Sequence, residues 1–369
     1  MFDMMRLFET QDLWDYLKGS SKKKVLYGMG DGADKVLDVC QKYGIEICGV
    51  FASDDFVRYQ QFRSFTVKKY SDLKEEFSDF IILVAFASSL PEIIQRVKLL
   101  AQLHELYIPD VPVYGQNLFN HAFAVANKAK ILKVYDLLCD SMSKKVYFNA
   151  LMYKLTGKPE HLFCCESSVG EAYGSFVCQS PCNTYVDVGA YNGDTIREFL
   201  SFVPSCKKIY ALEPDERSYK KLLLYAQNQN TSVDIEALNI AAWDRQELLS
   251  FSARGGRNST SSISGTRNKI KEICAMPIDS IVTQNADYIK IDSEGSEKQV
   301  IDGMKNTVLS CLPTLNIAIY HRSEDMFDIP LQINSITNNY LLYMRHFPYF
   351  PCWDTNLYAV KRKAGKSFE

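Results

Sequence analysis

The stretch Tyr185-Val186-Asp187-Val188-Gly189-Ala190-Tyr191-Asn192-Gly193-Asp194-Thr195 decides how this chain is read. An apolar strand runs into a turn punctuated by two glycines, and Thr195-Ile196-Arg197-Glu198-Phe199-Leu200 continues as a helix. Glycines at 189 and 193 permit a sharp turn and a close approach of backbone to a ligand. A loop built for phosphate favours anions at the helix start and often adds a lysine. Here Asp187 and Asp194 flank the turn instead. Two acids repel pyrophosphate and suit a ligand with a cationic amine or sulfonium and sugar hydroxyls. S-adenosylmethionine answers that description better than a nucleotide.

Working outward, an α/β unit spans 183–369. Its expected strands are Thr184–Val188, Lys208–Leu212, Val233–Leu238, Tyr288–Asp292 and Leu315–Tyr320, with a last one at Leu357–Val360. Helices are expected at Ser218–Asn228 and Glu297–Leu309. Leu248–Ser252 and Ile270–Pro277 read as strands flanking a Gly/Ser/Asn-rich loop. In a doubly wound sheet the carboxyl ends of neighbouring strands line one crevice. The turn residues Gly189, Asn192, Gly193 and Asp194 stand there, and Asp187 and Gly193 face the amino-acid part of the ligand. Glu213, in Tyr210-Ala211-Leu212-Glu213-Pro214-Asp215, either accepts from both ribose hydroxyls or caps the next helix together with Asp215. After the third strand, Ala242 leaves room for a flat base and Trp243 either stacks on it or serves as a core residue.

The strand Tyr288-Ile289-Lys290-Ile291-Asp292 carries Lys290 and Asp292 on one face and the isoleucines on the other. A Lys and an Asp on a buried strand demand compensation, from each other or from a ligand. Asp292 falls beside the expected methyl group. His321, after the fifth strand, emerges at the same edge, where a neutral imidazole could take a proton from an acceptor hydroxyl. Alternatively Asp292, His321 and His346 hold a divalent ion that acidifies that hydroxyl, or His321 only caps a strand end.

The amino-terminal part, 1–116, reads as a second three-layer α/β unit with a Rossmann-like order. An amphipathic helix over residues 1–20 precedes the strand Lys24–Gly28, the loop Gly28-Met29-Gly30-Asp31-Gly32-Ala33 and a helix to Tyr43. Strands follow at Ile45–Phe51, Phe80–Ala87 and Glu105–Pro109, with Pro91 opening a helix to Leu103. The glycine loop meets the loose dinucleotide pattern, with Asp54 or Asp55 as a ribose acid. It predicts a nucleotide or nucleotide-sugar, or else a structural or dimerising role. Residues 117–182 form a helical connector to Leu155 and then a broken linker.

The chain has 369 residues, 47% hydrophobic and 23% charged, with a net charge of -2. That composition is globular and gives no electrostatic reason to expect nucleic acid or an anionic membrane as partner. The longest apolar run, Phe80–Ala87, is too short to span a bilayer. With no secretory signal at Met1–Asp12, the expectation is a cytoplasmic protein, monomeric or homo-oligomeric. Eleven cysteines without a scaffold pattern suit reduced thiols. His161, Cys164, Cys165, Cys178 and Cys182 could also supply a structural zinc site, though no paired CxxC spacing is present.

Together VDVGAYNGDT (186–195), YALEPD (210–215), NIAAWD (239–244) and DYIKIDSEGSE (287–297) resemble the FkbM family of S-adenosylmethionine-dependent methyltransferases. The likeness covers Asn183 to Arg362, with the motifs in the family's order. It implies a class I methyltransferase fold and methyl transfer to an oxygen, commonly a hydroxyl of a sugar, glycan or related metabolite. It places Asp187, Gly189 and Gly193 in the cofactor loop, Glu213 on the ribose, and Asp292 and Glu294 at an acidic active-site turn that Lys290 and Glu294 would shape. The loop Asn258-Ser259-Thr260-Ser261-Ser262 resembles a serine pair before that strand. Tyr320-His321-Arg322-Ser323-Glu324-Asp325 departs from the acidic strand end of many members, so His321 transfers only from some relatives. Two rival readings are an NAD-dependent sugar oxidoreductase, which would need a Tyr-Lys pair or a Cys near Gly28, and a non-catalytic nucleotide-binding protein.

Overall fold

The computed structural model describes residues 2–229, 232–252 and 270–362. The serine-rich loop 258–262 lies outside the described residues, as does the side chain of Asp55. The leading helix is split into Met5–Glu9 and Leu13–Gly19. Asp12 is the reason: its Oδ1 accepts from the Asp15 N–H at 3.0 Å, capping the second helix, and its Oδ2 accepts from the His121 N–H at 2.9 Å.

The first unit contains β1 (Lys23–Tyr27), β2 (Gly49–Phe51), β3 (Gln61–Phe62), β4 (Phe65–Lys68), β5 (Phe80–Val84) and β6 (Glu105–Tyr107). They lie in the order β3-β4-β2-β1-β5-β6, parallel except for the β3–β4 hairpin. Alternation along β1 sends Leu26 to one core, with helix Asp31–Tyr43, and Val25 and Tyr27 to the other, with helix Pro91–Leu103. Helices on both faces of a parallel sheet make the expected three layers. The 45–51 strand shortens to Gly49–Phe51, with Ile45 to Cys48 outside the regular ladder.

Helices His121–Ala126, Lys128–Leu137 and Ser141–Thr156 follow. In the last, every residue from Val146 to Thr156 is buried. A helix buried on all sides is a core element rather than a connector. Its side chains share one hydrophobic cluster with Val25 and Phe80 of the first sheet and Val186, Ile289 and Leu342 of the second part of the chain. Lys154, 2% exposed, pairs at 3.0 Å with Asp110, 4% exposed, on the segment after β6. The stretch expected as a broken linker holds helices Glu160–Phe163 and Val169–Ala172 and a wide turn Tyr173–Val177. It is anchored by stacking of Tyr173 on Phe202 (4.4 Å) and of Phe176 on Tyr358 (4.7 Å).

The second unit contains β7 (Thr184–Val188), β8 (Lys208–Leu212), β9 (Asp234–Leu238), β10 (Ala241–Ala242), β11 (Glu247–Ser252), β12 (Ile270–Met276), β13 (Tyr288–Ile291), β14 (Thr314–Ala318), β15 (Tyr340–His346) and β16 (Thr355–Lys361). Seven form one sheet in the order β15-β16-β14-β13-β7-β8-β9, in which β16 alone runs against its neighbours. β10, β11 and β12 make a small side sheet. β15 has no counterpart among the expected strands. Arg345 and His346 mask its pattern, yet both are buried: the Arg345 guanidinium reaches Asp140 at 2.7 Å.

The Lys154–Asp110 pair predicts an asymmetry. Removing one partner strands a buried charge, so Lys154→Met should cost about 3–5 kcal/mol in urea unfolding. Replacing both, as Asp110→Leu with Lys154→Met, should recover most of that loss. A double variant no more stable than the single one would contradict the buried-charge explanation.

Candidate functional site

β7 stands between β8 and β13, so the turn after Val188 is flanked by the ends of both neighbours. Gly189 has φ +83° and its N–H donates to Leu212 O at 3.0 Å. A Cβ there would stand 2.0 Å from the Asp292 carbonyl oxygen, so the turn can lie against β13 only with glycine. Gly193, φ +81°, is closed off by the Tyr225 ring, which a Cβ would meet at 2.5 Å. Helix Asp194–Phe202 starts directly after it.

The sequence-derived residues separate once placed. Glu213, buried at the end of β8, faces the turn: its Oε2 accepts from the Tyr191 N–H at 2.8 Å and its Oε1 from the Asp215 N–H at 2.7 Å. Burial pushes its carboxyl up to about 7 despite those bonds. Asp215 takes the capping job, accepting from the Arg217 and Ser218 N–H groups. Asp187 is 0% exposed and sits beneath the turn. Its Oδ2 takes the Thr195 hydroxyl, and among the described residues its Oδ1 has no hydrogen-bond partner. Burial raises its carboxyl, while Lys290 opposes the shift. The sequence reading has Asp187 facing the ligand's amino group; in the structure it is buried in β7 beneath the turn, with one carboxylate oxygen engaged by Thr195. Asn192 is engaged by Arg197, through both its carbonyl (3.2 Å) and its Oδ1 (3.0 Å), and Asp194 is exposed. Ala242 is buried in the side sheet; Trp243 is half-buried, its N–H donating to Met276 O and its carbonyl packed on Gly303.

At the end of β13 a charge network forms. Asp292, with a side chain 34% exposed, lies 3.5 Å from Lys290 Nζ and 3.5 Å from His321 Nε2, and accepts from the Tyr320 hydroxyl at 3.2 Å. His321 Nδ1 faces Glu297 Oε1 at 2.9 Å. Glu297, 1% exposed, opens helix Glu297–Asp302 and also accepts from the N–H groups of Ser293 (3.0 Å) and Gly295 (3.2 Å). Burial alone would lower the His321 pKa, but Glu297 and then Asp292 outweigh it and raise it to about 9. Burial would raise Asp292, yet Lys290, His321 and Tyr320 hold it below the usual carboxylate range. Lys290 stays charged, since Asp292 and Asp187 overcome the cost of burying it.

Sequence reading missed Glu297, which appeared there only as the start of a helix. The expected trio of Asp292, His321 and His346 does not form. His346 is sealed in β15 with Nδ1 2.9 Å from the Thr355 hydroxyl, and burial lowers its pKa to about 4. The converging donors are Asp292, Glu297 and His321, whose ligand atoms all lie within 4.8 Å of one another. That set is of a type divalent cations take. An imidazolium between two carboxylates also offsets most of the charge without one, while His321 Nδ1 makes an ionic contact but no aligned hydrogen bond to Glu297. The five residues considered for zinc do not converge: His161 Nδ1 contacts Asn149, Cys178 lies by Phe202, and Cys182 lies by the Thr184 carbonyl. All eleven cysteines are free thiols.

Away from this edge, a cavity of about 370 Å³ lined by Asp287, Tyr288 and Thr314 opens at the amino ends of β13 and β14. A cavity of about 270 Å³ sits at the carboxyl ends of β1, β2 and β5, lined by Tyr27, Gly28, Met29, Ser53, Phe56 and Phe86 among others. Its lining includes no lysine or cysteine. No helix of the described residues is long and apolar enough to cross a membrane.

Residues 187–358 match the family model described as the methyltransferase FkbM domain. The crystal structure of a methyltransferase FkbM from Methylobacillus flagellatus is similar in fold, with a TM-score of 0.73 at 18% identity over 96% of this chain and 98% of that one. A putative rRNA-methylase from Clostridium thermocellum aligns with a TM-score of 0.37 at 10% identity, over 54% of this chain and 98% of its own. No curated protein matches the sequence. The family match spans both carboxylate-bearing strand ends and the glycine turn between them. Residues 187–358 thus match a methyltransferase FkbM domain, and the carboxyl-terminal unit has a class I methyltransferase fold.

Proposed function

We propose that this methyltransferase uses S-adenosylmethionine to methylate a hydroxyl of a sugar, glycan or related polar metabolite. The observation that carries the cofactor is the pair of carboxylates, Glu213 and Asp292, on the two strand ends that flank the Gly189 turn. Acidic acceptors around a glycine turn fit a cationic donor with ribose hydroxyls and offer nothing to a pyrophosphate. Glu213 would take the ribose hydroxyls as acceptor. When bound, S-adenosylmethionine supplies an electrophilic methyl group on a sulfonium.

The chain's own contribution is positioning and proton handling. Transfer of that methyl to an acceptor hydroxyl would require the hydroxyl's proton to be taken by a residue of the chain. Glu297 and Asp292 raise the His321 pKa to about 9, which favours a carboxylate over a neutral imidazole as the base. Asp292, held ionised and partly exposed, takes that proton and passes it to solvent. Lys290, Tyr320 and His321 keep its carboxylate in place. Holding donor, acceptor and base in line supplies much of the acceleration. The oxidoreductase alternative finds no support at the Gly28 cavity, whose lining lacks a Tyr-Lys pair or a Cys.

Asp292→Asn should lower kcat by about 10²-fold or more while the affinity for S-adenosylmethionine, measured by calorimetry, stays within a few-fold. Undiminished turnover in that variant would remove Asp292 from the base role. The proton assignment has its own test. A folded pKa raised above the ordinary His value contributes stability that is present at low pH and lost as pH rises through about 9. Thermal unfolding of the wild type should therefore weaken from pH 7 to 10, with a smaller decline in His321→Gln. An NMR titration placing His321 near 6.5 would restore it as a candidate base.

A further inference from the structure

The acidic turn after β13 is not completed by the residues of its own domain. Glu294 has φ +52°, a left-handed conformation that is costly for a residue with a side chain, and Gly295 follows at +94°. Tyr114, on the segment leaving the first unit after β6 and outside the 187–358 match, lies against both. Its hydroxyl donates to Glu294 Oε2 at 2.6 Å, and its backbone N–H donates to His321 O at 3.2 Å. Its ring meets the His321 ring edge-on at 5.8 Å and occupies the space a Gly295 Cβ would need, at 2.9 Å. Arg322 closes the other side, with Nε donating to Gly295 O at 2.9 Å. Burial and the neighbouring Glu294 raise the Tyr114 phenol pKa, so it stays a donor.

Glu294 lies two residues beyond Asp292 in the same turn and is only half-buried. Docking of the two units could rest on the Tyr114 ring and backbone alone. The hydroxyl does something further: it fixes the direction of a carboxylate two residues beyond Asp292. A carboxylate has about four acceptor positions, and one hydrogen bond from a rigid phenol orients the others.

We propose that Tyr114 is a positioning residue of the methyl-transfer site, through which the first unit holds Glu294 to receive a hydrogen bond from a hydroxyl of the acceptor. The first unit thereby becomes part of the acceptor side of the site. This rests on the transferase reading above.

Tyr114→Phe keeps the ring and backbone contacts and removes only the hydroxyl. In the full-length protein it should reduce kcat/KM for the acceptor by about 10- to 100-fold, with S-adenosylmethionine affinity and melting temperature close to wild type. In a Glu294→Gln background the same change should add little, because the two act as one unit. If the wild type binds S-adenosylmethionine and transfers methyl but Tyr114→Phe is equally active, the Tyr114 role alone is wrong. Losses that multiply in the double variant, or a matching loss of cofactor affinity and melting temperature, also overturn it. A wild-type protein giving no heat with S-adenosylmethionine removes the transferase reading and this role together.

Discussion

An imidazolium held between two carboxylates is the interaction on which this site depends. His321 follows β14, Asp292 follows β13, and Glu297 opens the next helix, so one ring ties three elements at the carboxyl edge of the sheet. Glu297 is almost fully buried, and a lone charge there would be costly. With His321 protonated, the cost is met locally, and Asp292 is left ionised at the mouth of the crevice. The same pairing supports the proposed division of roles, in which the histidine contributes charge and geometry and Asp292 accepts the proton.

A second layer of constraint comes from close backbone approach. Gly189 lies on the Asp292 carbonyl, Gly303 on the Trp243 carbonyl, and Gly295 under the Tyr114 ring. These contacts hold the turn after β7, the side sheet and the acidic turn in fixed relation to one another. Beneath them the helix Ser141–Thr156 joins the two units through a shared core, with Lys154 and Asp110 as its buried polar tie. The FkbM domain is thus built against the first unit, consistent with the fold similarity to the Methylobacillus flagellatus protein over nearly the whole chain.

Much of this was legible in the sequence. The glycine turn, the strand carrying Lys290 and Asp292, and the helices Asp31–Tyr43 and Pro91–Leu103 fall where local pattern and capping place them. Periodicity and turn chemistry are local, and these elements obey them. What was hidden depends on partners far away in the chain. β15 looks polar until Arg345 finds Asp140, and Ser141–Thr156 looks like a connector until both sheets pack on it. Glu297 closes the DYIKIDSEGSE motif without a role assigned to it and Tyr114 lies outside every motif; their meaning comes from His321 and Glu294 across the fold. Asp187 shows another case: an acid inside a recognisable motif whose full burial only tertiary packing reveals.

The central claim is that the crevice between the ends of β8 and β13 receives a sulfonium donor. A crystal structure with S-adenosylhomocysteine, the spent form of that donor, tests it most directly. The ribose should lie within hydrogen-bond distance of Glu213, with the sulfur directed towards Asp292. Density for the ligand at the Gly28 cavity or at the amino ends of the strands, with the Gly189 turn left bare, would contradict it.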